Sequence, residues 1–552
     1  MEKIWLSSYE PGVPAEIDLA TYDSIPHIME TAYEKFTDKP AFHQMGKAIT
    51  YRELRQLTRQ FGSYLQNDLK LQPGARVALM MPNILQYPVA LFGLLSAGMI
   101  AVNVNPLYTA RELEHQLNDA GAETIVIFAN SAHVLESVLA RTPVKNIIIT
   151  GIGDMLGFPK SLLVNTVIKH VKKMVPAYCL PQAVPFMTAL SRGNPDRFRP
   201  AAVKQEDIAF LQYTGGTTGV SKGAILTHRN IVANVLQARA WIQDQVVEGQ
   251  EIMITPLPLY HIFSLTANCL VFSSIGALNV LITNPRDFPH FVQELKKWKF
   301  TAMTGVNTLF NALLNTPGFE TVDFSYLKTA LGGGMAVQEA VARRWQQVTG
   351  HPLVEAYGLT ETSPAACMNP IHSREYSGYI GLPISSTLVS IRDDAGQELA
   401  VNEIGEICIK GPQVTCGYYN RPEETAKAFT ADGFFKTGDM GFMTDKGFVK
   451  LVDRKKDMVN VSGFNVYPNE IEEVVVTHPK VLEAAVIGVP DEKSGEAVKL
   501  FVVKKDPSLT VEELKDFCKK NLTGYKVPKH YAFKDELPKS NVGKILRKDL
   551  RE

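Results

Sequence analysis

Short apolar runs rich in β-branched residues recur along the first part of the chain, at 76–81, 124–128, 146–150, 208–213, 278–283 and 301–304, with helix-length segments between them. Runs of this kind predict strands buried on both faces, so the chain reads as mainly parallel sheets covered by helices. Two stretches without charge, 77–110 and 262–285, are long enough to raise the question of a membrane helix. Pro82, Pro88, Gly98 and Pro106 cut the first into a strand, a helix at 84–97 and a second strand, and Gly276 divides the second into a helix and a strand at 278–282. From about 378 the texture changes to closely spaced strands, 387–392 and 405–410, separated by Gly, Pro and Asp turns, as a small β-barrel or meander needs. Beyond the charged run at 453–457 comes a third pattern: a helix at 469–477, strands at 484–489 and 497–503, and a helix at 511–522 opened by a capping box, Thr510 with Glu513. The expected architecture is α/β. A large N-terminal body spans 1–452, with its β-barrel-like part at 378–452; a hinge at 453–457 then leads to a small mobile α+β domain at 458–552.

Composition adds mainly exclusions. With 45% apolar and 21% charged residues the 552-residue chain is neither disordered nor collagenous. Lys+Arg and Asp+Glu both total 57, so no global field draws it to nucleic acid, and attraction to an anionic partner has to be local. One such locality is 504–552, with thirteen Lys/Arg against eight Asp/Glu. Six scattered cysteines without a CxxC pair, and a start without an apolar signal core, predict a reduced, cytoplasmic chain.

The chemistry-bearing segments come next. At 213–223, YTGGTTGVSKG follows a strand: Gly215, Gly216 and Gly219 free the backbone amides, Thr214, Thr217 and Thr218 add hydroxyls, and Lys222 adds a charge. Together they predict an anion cradle suited to phosphates. It is not a Walker A loop, because Lys222 follows a serine and precedes a glycine. The same residues satisfy G-x-S-x-G around Ser221, the elbow of a serine hydrolase, but an elbow needs a helix after the serine and 223–228 reads as strand. At 355–364, EAYGLTETSP offers Tyr357 to stack on a purine, Thr360 to bond a phosphate oxygen and Glu361 to hold Mg²⁺. In KTGD at 436–439, Asp439 can accept both ribose hydroxyls, and Arg454 can bind the sugar or α-phosphate. Lys544 follows a glycine in PKSNVGKILR at 538–547, at the edge of a last helix, where a cation can stabilise charge in a transition state.

In order and spacing, these segments with PLYH at 258–261 and the run at 453–473 resemble the signatures of the adenylate-forming (ANL) superfamily. Within it, the run from DGFFKTGD at 432–439 to DRKKDMVNVSGFNVYPNEIE at 453–472 is similar to the signature of the bacterial long-chain fatty-acyl-CoA synthetases. The resemblance implies ATP-dependent activation of a fatty acid to an acyl-adenylate, then capture by CoA. It implies Lys544, Glu361 and Thr214 as catalytic, with Mg²⁺ on Glu361 and Thr214. Gly333, Gly334 and Met335, together with Glu355, Ala356, Tyr357 and Gly358, would frame the nucleotide. His261, Gly334 and Gly358 would line the acyl pocket, Gly358 standing where short-chain relatives carry a bulky aromatic and so leaving a path for a long tail. Lys456 would be the pivot of a domain rotation that brings Val461, Ser462 and Gly463 to the site with CoA.

Alternatives remain at this stage: a ligase passing the acyl group to a carrier protein, a non-catalytic nucleotide sensor, or a hydrolase using Ser221. Oligomeric state is open. Between Asp154 and Asp196 no acidic residue occurs, and Val164, Val167, Ile168, Val171, Met174 and Val175 recur at helical spacing opposite Lys169, Lys172 and Lys173. A basic amphipathic helix over 160–175 would rest on anionic membrane at the inner face of the cell.

Overall fold

The computed structural model describes residues 2–214, 221–462, 464–491, 494–540 and 543–551. Two large, mainly parallel sheets form the body. A seven-stranded sheet runs in the order Val184–Pro185, Asn146–Thr150, Thr124–Phe128, Arg76–Met80, Ile100–Asn103, Ile208–Thr214, Lys222–Thr227, with only the last pair antiparallel. A nine-stranded sheet has at its centre Leu353–Gly358, Thr329–Gly332, Ala302–Gly305, Ile252–Thr255 and Leu278–Leu281, all parallel, so that their C-terminal ends share one edge. Every residue of Thr124–Phe128 and of Leu278–Leu281 is buried, which is why these strands read as unbroken apolar runs.

Both charge-free stretches divide as expected. The first gives the strand Arg76–Met80, the helix Gln86–Ser96 and the strand Ile100–Asn103; the second gives helical turns from Ile262 to Ser274, part of them π-helical, and then Leu278–Leu281. Among the described residues no helix is long and apolar enough to cross a membrane. From Leu388 the strands Leu388–Arg392, Gly405–Lys410, Phe435–Met443 and Val449–Arg454 pair in chain order, which is the meander form. A fourth sheet holds Val459–Val461, Phe464–Val466, Val481–Asp491, Gly495–Lys504 and His530–Lys534, with the helices Pro468–Val475 and Val511–Asn521. It has its own core around Ile471, Val486, Leu500 and Leu514.

Two local expectations need correction. Thr510 caps Glu513 N–H at 3.2 Å, but the Glu513 carboxylate does not return the bond; it pairs with Lys480 at 3.0 Å, a stronger partner than a backbone amide. Lys544 also does not sit at a helix edge. Ser540 N–H donates to Lys544 O and Gly543 N–H to Ser540 O, a tight turn closed by the Lys539–Ile545 bridge.

Candidate active site

The C-terminal edge of the nine-stranded sheet, the meander and the turn carrying Lys544 enclose a cavity of about 1540 Å³. That exceeds an ordinary small-molecule site of about 300–1,000 Å³ and leaves room for two substrates end to end. Thr214, Lys222, His261, Gly333, Gly334, Met335, Glu355, Ala356, Tyr357, Gly358, Thr360, Glu361, Asp439, Arg454, Lys456 and Lys544 all line it, so residues 330 positions apart in the chain converge on one space. Gly215, Gly216, Thr217, Thr218, Gly219 and Gly463 lie outside the described residues. Val461 and Ser462 do not line the cavity: Val461 pairs with Phe464 and Gly495, and Ser462 N–H donates to Ser494 O at 2.8 Å.

Strand geometry fixes one end of the cavity. Tyr357 lies on Leu353–Gly358 and Asp439 on Phe435–Met443; the Tyr357 hydroxyl donates to Asp439 Oδ2 at 2.6 Å, and Arg454 Nε pairs with Asp439 Oδ1 at 2.8 Å. The Asp439 carboxylate is thereby oriented toward the cavity with its charge balanced. Glu355 lies two residues earlier on the same strand. Its Oε1 accepts from Val337 N–H at 3.3 Å, Oε2 is buried and unpaired, and burial raises its pKa to about 8. Glu361 accepts from the Tyr418 hydroxyl at 2.8 Å, and burial pushes its carboxyl above the usual range.

No group of three or more His, Cys, Asp or Glu suited to a metal occurs among the described residues. A single carboxylate lining the cavity nonetheless fits Mg²⁺, which keeps waters and takes phosphates as ligands. Glu361 with the Thr214 hydroxyl would hold it.

Lys222 already has partners within the fold. Its ammonium pairs with Glu424 and lies 5.3 Å over the Tyr418 ring. Ser221 is followed by the strand Lys222–Thr227, not a helix, and its hydroxyl donates to Thr214 O at 2.5 Å, so the hydrolase elbow is absent.

Lys544 is a half-buried cation lining the cavity. Burial, aided by Arg454, brings its pKa down to about 8. Nearby His261 is held neutral, its pKa lowered to about 4 by burial and by Lys544. The turn is seated by glycine: Gly543 has φ +83°, Thr308 Oγ1 donates to its carbonyl at 2.9 Å, and a Cβ there would stand 2.6 Å from that hydroxyl oxygen. Three residues on, Arg547 bonds Glu472 and Asn469, with Asp453 and Asp457 at 3.5 Å.

Gly358 needs a different explanation from the one expected. A Cβ there would stand 1.8 Å from the Pro364 carbonyl oxygen, so it is glycine because the neighbouring backbone approaches closely; no open path lies beyond it. Gly358→Trp would therefore push the Ala365–Met368 strand away rather than plug an open path. An apolar part of the cavity lies elsewhere, between the helix His228–Ile242 and the sheet, walled by Ile242, Met253, Val271, Phe272 and Leu331. Their apolar character carries no signal in the sequence to separate them from core. Tyr418 and Glu424, which hold Glu361 and Lys222, were equally hidden, being isolated residues outside any motif.

Comparison with known proteins now places the chain. The family of AMP-binding enzymes matches residues 29–419 and its C-terminal domain residues 470–544. The chain belongs to this family. It is 56% identical to the long-chain-fatty-acid–CoA ligase of Yersinia pestis over 552 residues, covering 100% of this chain and 98% of that one. The enzyme of the same name from Haemophilus influenzae is 53% identical, again over 100% of this chain and 98% of its own. Among solved structures, ATP-bound MatB from Rhodopseudomonas palustris superposes with a TM-score of 0.83 at 28% identity, covering 95% of this chain and 98% of that one.

Proposed function

We propose that the chain is an AMP-forming ligase that converts long-chain fatty acids to acyl-CoA through an acyl-adenylate. The observation that carries the reading is the placement of Lys544, half-buried, in one cavity with the Tyr357–Asp439–Arg454 group and with apolar side chains.

In the first half-reaction a carboxylate oxygen attacks the α-phosphorus of ATP, and the bond from that phosphorus to the α,β-bridging oxygen breaks, pyrophosphate leaving with the bonding pair. Arg454 and Lys544 neutralise charge gathering on the α-phosphate and the attacking oxygen. Asp439 accepts from the ribose hydroxyls, Tyr357 stacks on the base, and the Thr214 loop with Lys222 receives the departing phosphates once Lys222 exchanges Glu424 for them. Bound Mg²⁺ supplies charge neutralisation on those phosphates.

In the second, the CoA sulfur attacks the acyl carbonyl, loses its proton, and AMP leaves with the bonding pair. Lys544 occupies the space that the pantetheine arm requires, so the domain 458–552 turns about 453–457, with Lys456 as pivot, and presents the Val461–Ser462–Gly463 loop. The arrangement in hand, with Lys544 inside and Val461 outside, suits adenylation.

Half-reaction assays test this. Lys544→Ala is expected to lower fatty-acid-dependent pyrophosphate–ATP exchange by about 10²–10³-fold while leaving thioester formation from supplied acyl-adenylate nearly intact. Lys456→Pro should do the reverse. Equal loss in both assays for both variants would refute the division.

Membrane contact belongs to the same reading. The helix Lys160–Thr166 continues as π-helix through Val171, and Phe158, Leu162, Leu163, Val171 and Met174 stand exposed beside Lys169, Lys172 and Lys173. The exposed apolar set differs from the stripe read in the sequence, since Val164, Val167, Ile168 and Val175 are half-buried. Apolar side chains among lysines suit peripheral contact with anionic lipid; replacing the three lysines with glutamate should weaken flotation with anionic liposomes.

A further inference from the structure

Lys222 opens the strand Lys222–Thr227 opposite Thr214, and residues directly opposed on an antiparallel pair share a face, so the two side chains leave the sheet on the same side. The segment 417–419 is laid along this strand: Ile225 N–H donates to Gly417 O at 2.9 Å and Tyr419 N–H to Gly223 O at 2.8 Å. Tyr418 bridges to Ala224, two residues along from Lys222, which brings its ring within 5.3 Å of the ammonium. The chain then enters the helix Pro422–Ala428. The Arg421–Asp119 ion pair fixes the start of this helix, and Tyr418 N–H donates to Thr425 Oγ1 at 2.9 Å. Glu424, in the first turn, therefore meets Lys222 from a helix tied to the same strand.

Thr214, Lys222, Glu361, Tyr418 and Glu424 all line the cavity. Its two carboxylates on either side of Tyr418 are partnered differently. Glu361 accepts from the Tyr418 hydroxyl, a neutral donor, at 2.8 Å; Glu424 takes the Lys222 ammonium. Pyrophosphate carries several negative charges, and with Glu424 in place they meet a like charge on the cation they need. The Lys222 and Glu424 side chains are 34% and 38% exposed, so their pairing has surface strength and can be exchanged. Lys427, 3.7 Å from the other Glu424 oxygen, stays beside Glu424 when Lys222 leaves.

We propose that Glu424 is an internal competitor for Lys222, a carboxylate in the place of a phosphate oxygen. It holds down the affinity of this end of the cavity for pyrophosphate and so favours departure of that product before it can reverse adenylation. The proposal rests on the ligase reading, in which Lys222 receives the departing phosphates.

The test uses the full chain with ATP, Mg²⁺ and a long-chain fatty acid, and reads the inhibition constant of inorganic pyrophosphate in acyl-adenylate formation. The unaltered protein is compared with Glu424→Gln and Glu423→Gln. Glu423 is exposed on the same helix and does not line the cavity, so its substitution removes the same charge away from Lys222. Glu424→Gln should tighten pyrophosphate by about 3-fold, the factor by which an ion pair of surface strength depletes the free lysine. KM for ATP should fall in the same variant, and Glu423→Gln should leave both constants unchanged. KM for the fatty acid should not move, which separates a change at the phosphates from a general disturbance of the fold. An inhibition constant unmoved by Glu424→Gln, or moved equally by Glu423→Gln, overturns the proposal. Weaker pyrophosphate binding in Glu424→Gln also overturns it, since the carboxylate would then support Lys222 and not compete for it. Absence of fatty-acid-dependent adenylate formation by the unaltered protein instead brings down the ligase reading, and this proposal with it.

Discussion

Lys544 and Arg547 are three residues apart, both half-buried, and they differ in what surrounds them. Burial opposes charge on each. Around Arg547, Glu472 and Asp453 outweigh that cost and hold the guanidinium charged, whereas Lys544 faces Arg454 and Arg547 and is drawn down to about 8. Burial thus fixes the penalty, and the presence of carboxylates decides whether the penalty is met within the fold. Arg547 is an anchor, tying the helix Pro468–Val475 to Asp453 at the end of the meander. Asp439 favours the charge on Lys544 but Arg454, Arg547 and Lys456 oppose it, a local excess of positive charge that suits an anionic ligand.

Removing the anchor should have the largest effect on stability. Arg547→Met leaves Glu472 and Asp453 buried without their cation and should lower the unfolding free energy by about 3–5 kcal/mol, read as a shift in denaturant midpoint. Loss confined to activity would overturn the comparison.

A pH series sharpens it. Lys544 is charged below its pKa, so kcat/KM for ATP in the adenylation half should fall about tenfold per unit as pH climbs past 8, once other ionisations are held fixed. Lys544→Arg, charged at every accessible pH, should remove that limb even at reduced rate; Glu355→Gln should keep it, since Glu355 titrates in the same range for a different reason.

The smallest effect is on the stability of Lys544→Ala. The folded pKa of this lysine lies below its unfolded value, so the unfolded chain binds more protons between about pH 8 and 10, and stability rises with pH through that window. Below pH 8 the side chain is a net cost. Its removal should leave the midpoint at pH 7 unchanged or higher, opposite in sign to Arg547→Met.

Much of this could be read before any coordinates. Buried parallel strands announce themselves because apolar residues on both faces remove the alternation, and Gly and Pro mark where the charge-free stretches break. The nucleotide motifs were legible because glycines, hydroxyls and a lysine packed into eleven residues have few other uses. Partnership was not legible. Nothing at Lys222 indicates Glu424, nothing at Glu361 indicates Tyr418, and the space beyond Gly358 had to be seen to be filled by Pro364.

Local order in the chain determined the sheet class, the change of texture near 378, the break after 453 and the residue types of the site, because each depends on periodicity or on chemistry within a few neighbours. Tertiary structure alone decided which charges cancel and where the apolar part of the cavity lies. Those depend on side chains brought together from across the chain, and a buried apolar residue that lines a void has the same sequence appearance as one that fills it.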